Sequence, residues 1–229
     1  MTARSLDRLE RLRSELAHPR LDVRIVAADL AAGGAAQILR AVAGGEIEVG
    51  LLINNAGFGA GGDFTAARLD RQLSLLDVNL RALVELTHPI LGAMRRRGSG
   101  AIINVASVAG FQPAPYSACY AASKAFVLSF SLALWRENRD TGVQVMALCP
   151  GYTDTHFFAA AGVPKPRRVY MQTPDAVVAA ALRGLRRRQP LVIPGWPNRL
   201  VVAATRLLPR RWVLNAAARL FRVRRELSG

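Results

Sequence analysis

Tyr120 and Lys124 stand four residues apart in "YAASK", so in a helix their side chains share one face and can converge. Such a pair suits proton transfer. A phenol ionises at about 10, too high for good acid–base work near neutrality, and a nearby ammonium favours the phenolate. Lysine fits that role better than arginine because it is a compact charge that can itself join a proton relay. The chain holds 29 Arg and only two Lys, Lys124 and Lys165, which makes a retained lysine informative. Ser107 follows the apolar run "AIINVAS", where its hydroxyl could orient a carbonyl oxygen. Asn79, in "LLDVNLRAL", could hold a water that links Lys124 to solvent.

The elements that must position these residues read as alternating strands and helices. Leu6, Leu9, Leu12 and Leu16 keep a helical period, with Ser5 available as a cap. "DVRIVAADL" (22–30) reads as a strand, 35–43 as a helix and "EVGLLINNAG" as a buried strand. A long and interruptible helical pattern fills 65–97, with Thr65 as its expected cap and Arg95–Arg97 suited to its C-terminus. "GAIINVASVAG" (100–110) is a strand, 120–138 a helix and "GVQVMALCPG" (142–151) a strand. Thr173 and Pro174 open a further helix, and "QPLVIPG" gives a last short strand. Strands apolar on both faces and alternating with helices predict an α/β fold with a parallel sheet covered on both sides.

Composition narrows the function classes. The chain has 229 residues, about half of them apolar, and can bury one large α/β domain. No run approaches the roughly 18 apolar residues of a membrane span, and the first thirty residues resemble neither a signal nor a transit peptide. Cys119 and Cys149 lack metal or redox spacing, so no metal is expected and a cytoplasmic setting is. The net charge of +15 is unevenly placed. Residues 165–229 hold 15 basic side chains against Asp175 and Glu226, whereas 1–164 are nearly balanced.

The ordered motifs identify a resemblance. "DL" at 29–30, "NNAG" at 54–57, "VN" at 78–79, "NVAS" at 104–107, "YAASK" at 120–124 and "PGYTDT" at 150–155 match the short-chain dehydrogenase/reductase family in sequence. The likeness runs from about Thr2 to at least Gly195. It implies a Rossmann-like, doubly wound parallel sheet over 1–197 and hydride exchange between a nicotinamide cofactor and a ketone or secondary alcohol. It further implies Tyr120 as acid/base, Ser107 on the substrate carbonyl, Lys124 lowering the Tyr120 pKa and binding the nicotinamide ribose, and Asn79 on the relay water. Asp29 and Leu30 would meet the adenine, Asn55, Ala56 and Gly57 the adenosine ribose region. Thr153 and Thr155, after Pro150-Gly151, would meet the carboxamide. Arg4, just beyond the expected second strand, would favour the 2′-phosphate of NADP(H) over NAD(H). The resemblance also implies a homodimer or homotetramer.

One part of the family pattern has no counterpart. The first strand, the glycine-rich turn with its helix, and most of the second strand are absent, which would leave strand edges and an apolar groove exposed. Gly57, Gly59 and Gly62 imitate a G-x-G-x-x-G fingerprint, with Asp77 twenty residues after Gly57, but no helix opens directly from them. Two explanations stand: a start that lies upstream, or a shortened, non-catalytic interaction protein of the same fold. The extension over 198–229 places Leu200, Ala203, Ala204, Leu207 and Leu208 on one helical face before Pro209, with Trp212, Leu214, Ala218 and Phe221 enriching the next piece. Arginines interleaved with Trp and Leu fit an anionic membrane surface, at the inner face of a membrane, or a lid or dimer contact. Membrane contact would favour a lipophilic substrate, whose pocket Phe157, Phe158 and Tyr170 would shape. Nucleic acid is not an expected partner, because no recognisable module is present.

Overall fold

A computed structural model describes residues 1–45, 47–162 and 169–221. Lys165 and the last eight residues of the extension lie outside the described residues.

Two parallel sheets carry the fold. β1 (Thr2–Ala3) pairs with β2 (Val26–Ala27) in a short two-stranded sheet. β3 (Leu51–Asn54), β4 (Gly100–Val105), β5 (Val143–Leu148) and β6 (Leu191–Val192) form a second sheet in that spatial order, with Asn54 opposite Asn104 and Val105 opposite Leu148. The strands are shorter than their apolar runs, most of all β2, where two residues of "DVRIVAADL" pair. Among the described residues β3 has a partner on one side only, and Leu51 and Ile53 are exposed along it. The expected single sheet is therefore divided between β1 and β3.

Alternation along the strands covers the larger sheet on both faces. Ile102, Val143 and Val145 pack with Ile90, Leu91 and Met94 of α4 (Ala82–Arg97). Ile103, Met146 and Leu148 turn the other way, against Val177 and Ala181 of α7 (Pro174–Arg186). Every residue of β5 is buried. α5 (Ala118–Glu137) is the one described helix long and apolar enough to cross a membrane. Its buried Ser123, Lys124, Val127 and Ser131, and its packing on β4 and β5, make it a core helix.

Caps fix the helix starts. Ser5 Oγ accepts from the Arg8 N–H ahead of α1 (Leu6–Glu15), and Thr173 Oγ1 accepts from the Ala176 N–H ahead of α7. Thr65 does not cap. Its N–H and hydroxyl both donate to Asp63 Oδ1, at 2.9 and 2.6 Å, which holds 63–66 in a turn. α3 (Leu69–Leu76) begins only after it. The interruption in this long helix is a π-helical turn, Asp77–Arg81, between α3 and α4. α2 (Gly34–Gly44) and a short α6 (Phe157–Ala161) complete the part of the fold that borders the sheet. α8 (Trp196–Leu207) and α9 (Arg210–Phe221) follow β6 and are separated at Pro209.

Candidate active site

Parallel strands bring their carboxyl ends to one edge, where open α/β sheets collect ligands. Past the end of β3 lie Asn55, Ala56 and Gly57, all exposed. Ser107 stands two residues beyond β4, where it caps a short 3₁₀ turn (Val108–Phe111) by accepting from the Ala109 N–H at 3.1 Å. Past β5 come Pro150 and Gly151, and the Val108 N–H donates to the Pro150 carbonyl at 3.0 Å, tying the two loops together. α5 then carries Tyr120 and Lys124 up to this edge.

Lys124 is buried, and its Nζ donates to the Val105 carbonyl at 2.8 Å. The same Nζ lies 5.9 Å from the centre of the Tyr120 ring. A Cβ added to Gly57 would sit 3.0 Å from Asn79 Oδ1 and 3.4 Å from Lys124 Nζ, so Gly57, Asn79 and Lys124 face one another. The π turn presents Asn79 as a clamp. Its Oδ1 accepts from the Phe58 N–H at 3.1 Å, and its Nδ2 donates to the Phe58 carbonyl at 3.1 Å and to Ser123 Oγ at 3.0 Å. Asn79 thereby fixes the loop after β3 against α5.

Burial dominates the electrostatics. It pushes the Tyr120 phenol up to about 12, against a smaller downward pull from its side-chain hydrogen bond with Ser107. Burial likewise brings the Lys124 ammonium down to about 8. Lys124 is not among the groups that move the Tyr120 phenol, where burial prevails. The ammonium is engaged by the Val105 carbonyl, and the Tyr120 ring packs with Phe157, their centres 5.4 Å apart. Cys149 is buried beside this pair, with its thiol pushed up to about 12, so it stays protonated.

The remaining candidates spread along the same edge. Arg4 is exposed just past β1. Asp29 Oδ1 accepts from the Ala31 N–H at 2.9 Å and caps a 3₁₀ turn (Leu30–Ala32). Leu30 packs against Ala35, Ala82 and Leu86, so much of its side chain is committed to the core. Thr153 Oγ1 donates to the Gly151 carbonyl at 3.2 Å, and Thr155 Oγ1 accepts from the Phe157 N–H at 3.3 Å. Sequence reasoning missed two polar supports. Asn54 Nδ2 donates to Thr87 Oγ1 and Asn104 Oδ1, while Asn104 Nδ2 donates to Ser131 Oγ, all of them buried. Asn198 Nδ2 donates to Gln172 Oε1 and the Pro194 carbonyl, and its amide packs against Gly151. An asparagine inside an otherwise apolar strand was the available signal for the first; nothing local announces the second.

The family model for short chain dehydrogenases matches residues 1–164. The chain belongs to the short-chain dehydrogenase family. Among relatives, it is 34% identical over 161 residues to the ketoacyl reductase HetN of Nostoc sp., covering 70% of this chain and 56% of that one. It is 39% identical over 161 residues to a sulfoacetaldehyde reductase of Chromohalobacter salexigens, covering 69% and 63%. These alignments thus span less than two thirds of either relative. A solved short-chain dehydrogenase from Sphingobium yanoikuyae, in complex with NADPH, is 32% identical with a TM-score of 0.77, covering 100% of this chain and 87% of that one. The Rossmann-like α/β fold is that of this short-chain dehydrogenase neighbour.

Proposed function

We propose that the chain reduces a ketone to a secondary alcohol with NADP(H), on a lipophilic small molecule. The observation that carries this reading is the meeting of Ser107, Tyr120, Lys124, Asn79 and Gly57 at the carboxyl edge of the sheet. A buried ammonium is costly to keep in a fold that has no use for it. That cost argues against the non-catalytic alternative.

The donor set fits a nicotinamide cofactor. Lys124 uses one of its three N–H donors on Val105 and has two left for ribose hydroxyls. Gly57 lets a ligand approach the backbone beside it. Arg4 is exposed, with no acidic partner among the described residues, and suits a 2′-phosphate. Asp29, Asn55 and Ala56 would border the adenosine half, and Pro150, Gly151, Thr153 and Thr155 the carboxamide. The bound nicotinamide supplies the hydride. Tyr120 gives its proton to the carbonyl oxygen, which Ser107 Oγ–H holds in place. Lys124 then returns a proton to the Tyr120 phenolate and regains one from solvent, so one hydride and one proton reach each carbonyl. NADPH use is supported by the cofactor of the Sphingobium neighbour, and carbonyl reduction by the names of the two relatives.

The test is NADPH consumption with acetoacetyl-CoA and a series of aliphatic and bulky ketones, followed against pH. Reduction is expected to fall as pH rises through about 8, where Lys124 loses its proton. The sign for stability is opposite. The lysine binds its proton more weakly folded than unfolded, so between about 8 and the ordinary lysine range stability rises with pH. A rate that falls there while thermal stability holds or rises identifies titration of the site. A flat profile to pH 10 would contradict the relay, and no turnover with any carbonyl would contradict the reduction.

A further inference from the structure

We infer that α8 and α9 form a docking surface for an anionic lipid bilayer. The two helices each have a face that the fold uses and a face that it does not. Asn198 and Val202 turn inward from α8, and Val213 and Ala217 turn inward from α9. On the other side of α8, Trp196, Leu200, Ala203, Ala204 and Leu207 follow a helical period and point to solvent. Leu207 is 84% exposed, Trp196 71% and Leu200 59%, and Trp212 on α9 is 57% exposed. These are large apolar side chains that ordinary surfaces rarely cluster.

Charge decides the occupant. Residues 196–221 carry Arg199, Arg206, Arg210, Arg211 and Arg219 and no acidic residue. Among the described residues none of these five has a salt-bridge partner; Arg199 donates to the Ile193 carbonyl and Arg206 lies over the Phe111 ring. At 100° per residue, Arg199 and Arg206 fall together along one border of the exposed apolar stripe of α8, so that apolar and cationic faces adjoin as in a helix lying in a headgroup layer. Two copies pairing through this face would oppose arginine to arginine, whereas phosphate headgroups would neutralise them. Tryptophan at both α8 and α9 adds side chains that favour the water–lipid boundary. Docking would present the carboxyl-edge site, linked to α8 through the Asn198 contact with Gly151, to molecules dissolved in the bilayer.

The test uses the full chain with vesicles of phosphatidylcholine alone and of phosphatidylcholine mixed with phosphatidylglycerol. Co-sedimentation and a blue shift of tryptophan emission are expected with the anionic vesicles only, weakened by salt. The double variant L200S/L207S, at exposed positions where an unchanged circular-dichroism spectrum is expected, should lower partitioning at least about tenfold. R210Q/R211Q should lower it on anionic vesicles in low salt. Absence of vesicle binding, equal binding to both vesicle types, or binding indifferent to L200S/L207S would overturn the inference. So would a dimer in sedimentation velocity that L200S/L207S dissociates while vesicles are ignored, or binding to duplex DNA without binding to vesicles. None of these readouts depends on turnover, so they stand or fall apart from the proposed reduction.

Discussion

Tyr120→Phe is expected to lower carbonyl reduction by about 10³-fold, within the range for removing a positioned general acid. The substitution removes one oxygen and the hydrogen bond with Ser107, and keeps the ring that packs against Phe157. Thermal unfolding should therefore change little, because no well-satisfied buried network is broken. NADPH affinity should also hold, since Lys124 keeps its bond to the Val105 carbonyl without help from the phenol. The informative comparison is kcat against cofactor binding in the same protein. A variant that turns over normally would remove Tyr120 from the chemistry. One that unfolds would show that the phenol is structural.

Asn104→Leu is expected to cost about 3 kcal/mol of stability, because it strands buried polar groups on both sides. Asn104 is fully buried between Asn54 on β3 and Ser131 on α5, and Asn54 in turn reaches Thr87 on α4. This chain of side chains crosses from one helix through two strands to another. Leucine has the same branched skeleton but is bulkier and apolar, so the loss combines unpaired donors and acceptors with some overpacking and leaves no cavity. Ser131 retains its own bond to the Val127 carbonyl and Asn54 Nδ2 its bond to Thr87 Oγ1, which leaves the second Asn54 Nδ2–H as the main orphan. Urea unfolding of wild type, Asn104→Leu and the pair Asn54→Leu/Asn104→Leu checks this. The pair should recover part of the loss, because fewer polar groups remain buried alone. A neutral single variant would contradict the network.

How much of this was legible in the sequence depends on the range of the interaction. Thr173-Pro174 and Ser5 announced helix starts because a cap acts within three residues. Pro209 announced the break between α8 and α9 for the same reason. Thr65 misled because Asp63, two residues earlier, engages the Thr65 hydroxyl itself and accepts from the Thr65 and Ala66 N–H groups, closing a turn instead. The π turn at Asp77–Arg81 appeared only as an interruption, since spacing does not show that Asn79 must reach Phe58 and Ser123. The meeting of Ser107, Tyr120 and Lys124 at one edge was readable from strand ends and an i, i+4 pair. The direction of the Tyr120 pKa was not. It follows from burial of the phenol in the tertiary fold, which outweighs the pull of the Ser107 hydrogen bond. The outward face of α8 was likewise a periodic pattern until burial of Asn198 and Val202 showed which side meets protein.

This edge is expected to hold a nicotinamide cofactor with a 2′-phosphate. The deciding measurement is titration of the chain with NADPH, read by the fluorescence of the reduced nicotinamide. Saturable binding is expected, weaker with NADH, with the preference reduced in Arg4→Ala and affinity for both reduced in Lys124→Met. A response that stays linear with NADPH, or one that Lys124→Met leaves unchanged, would contradict it.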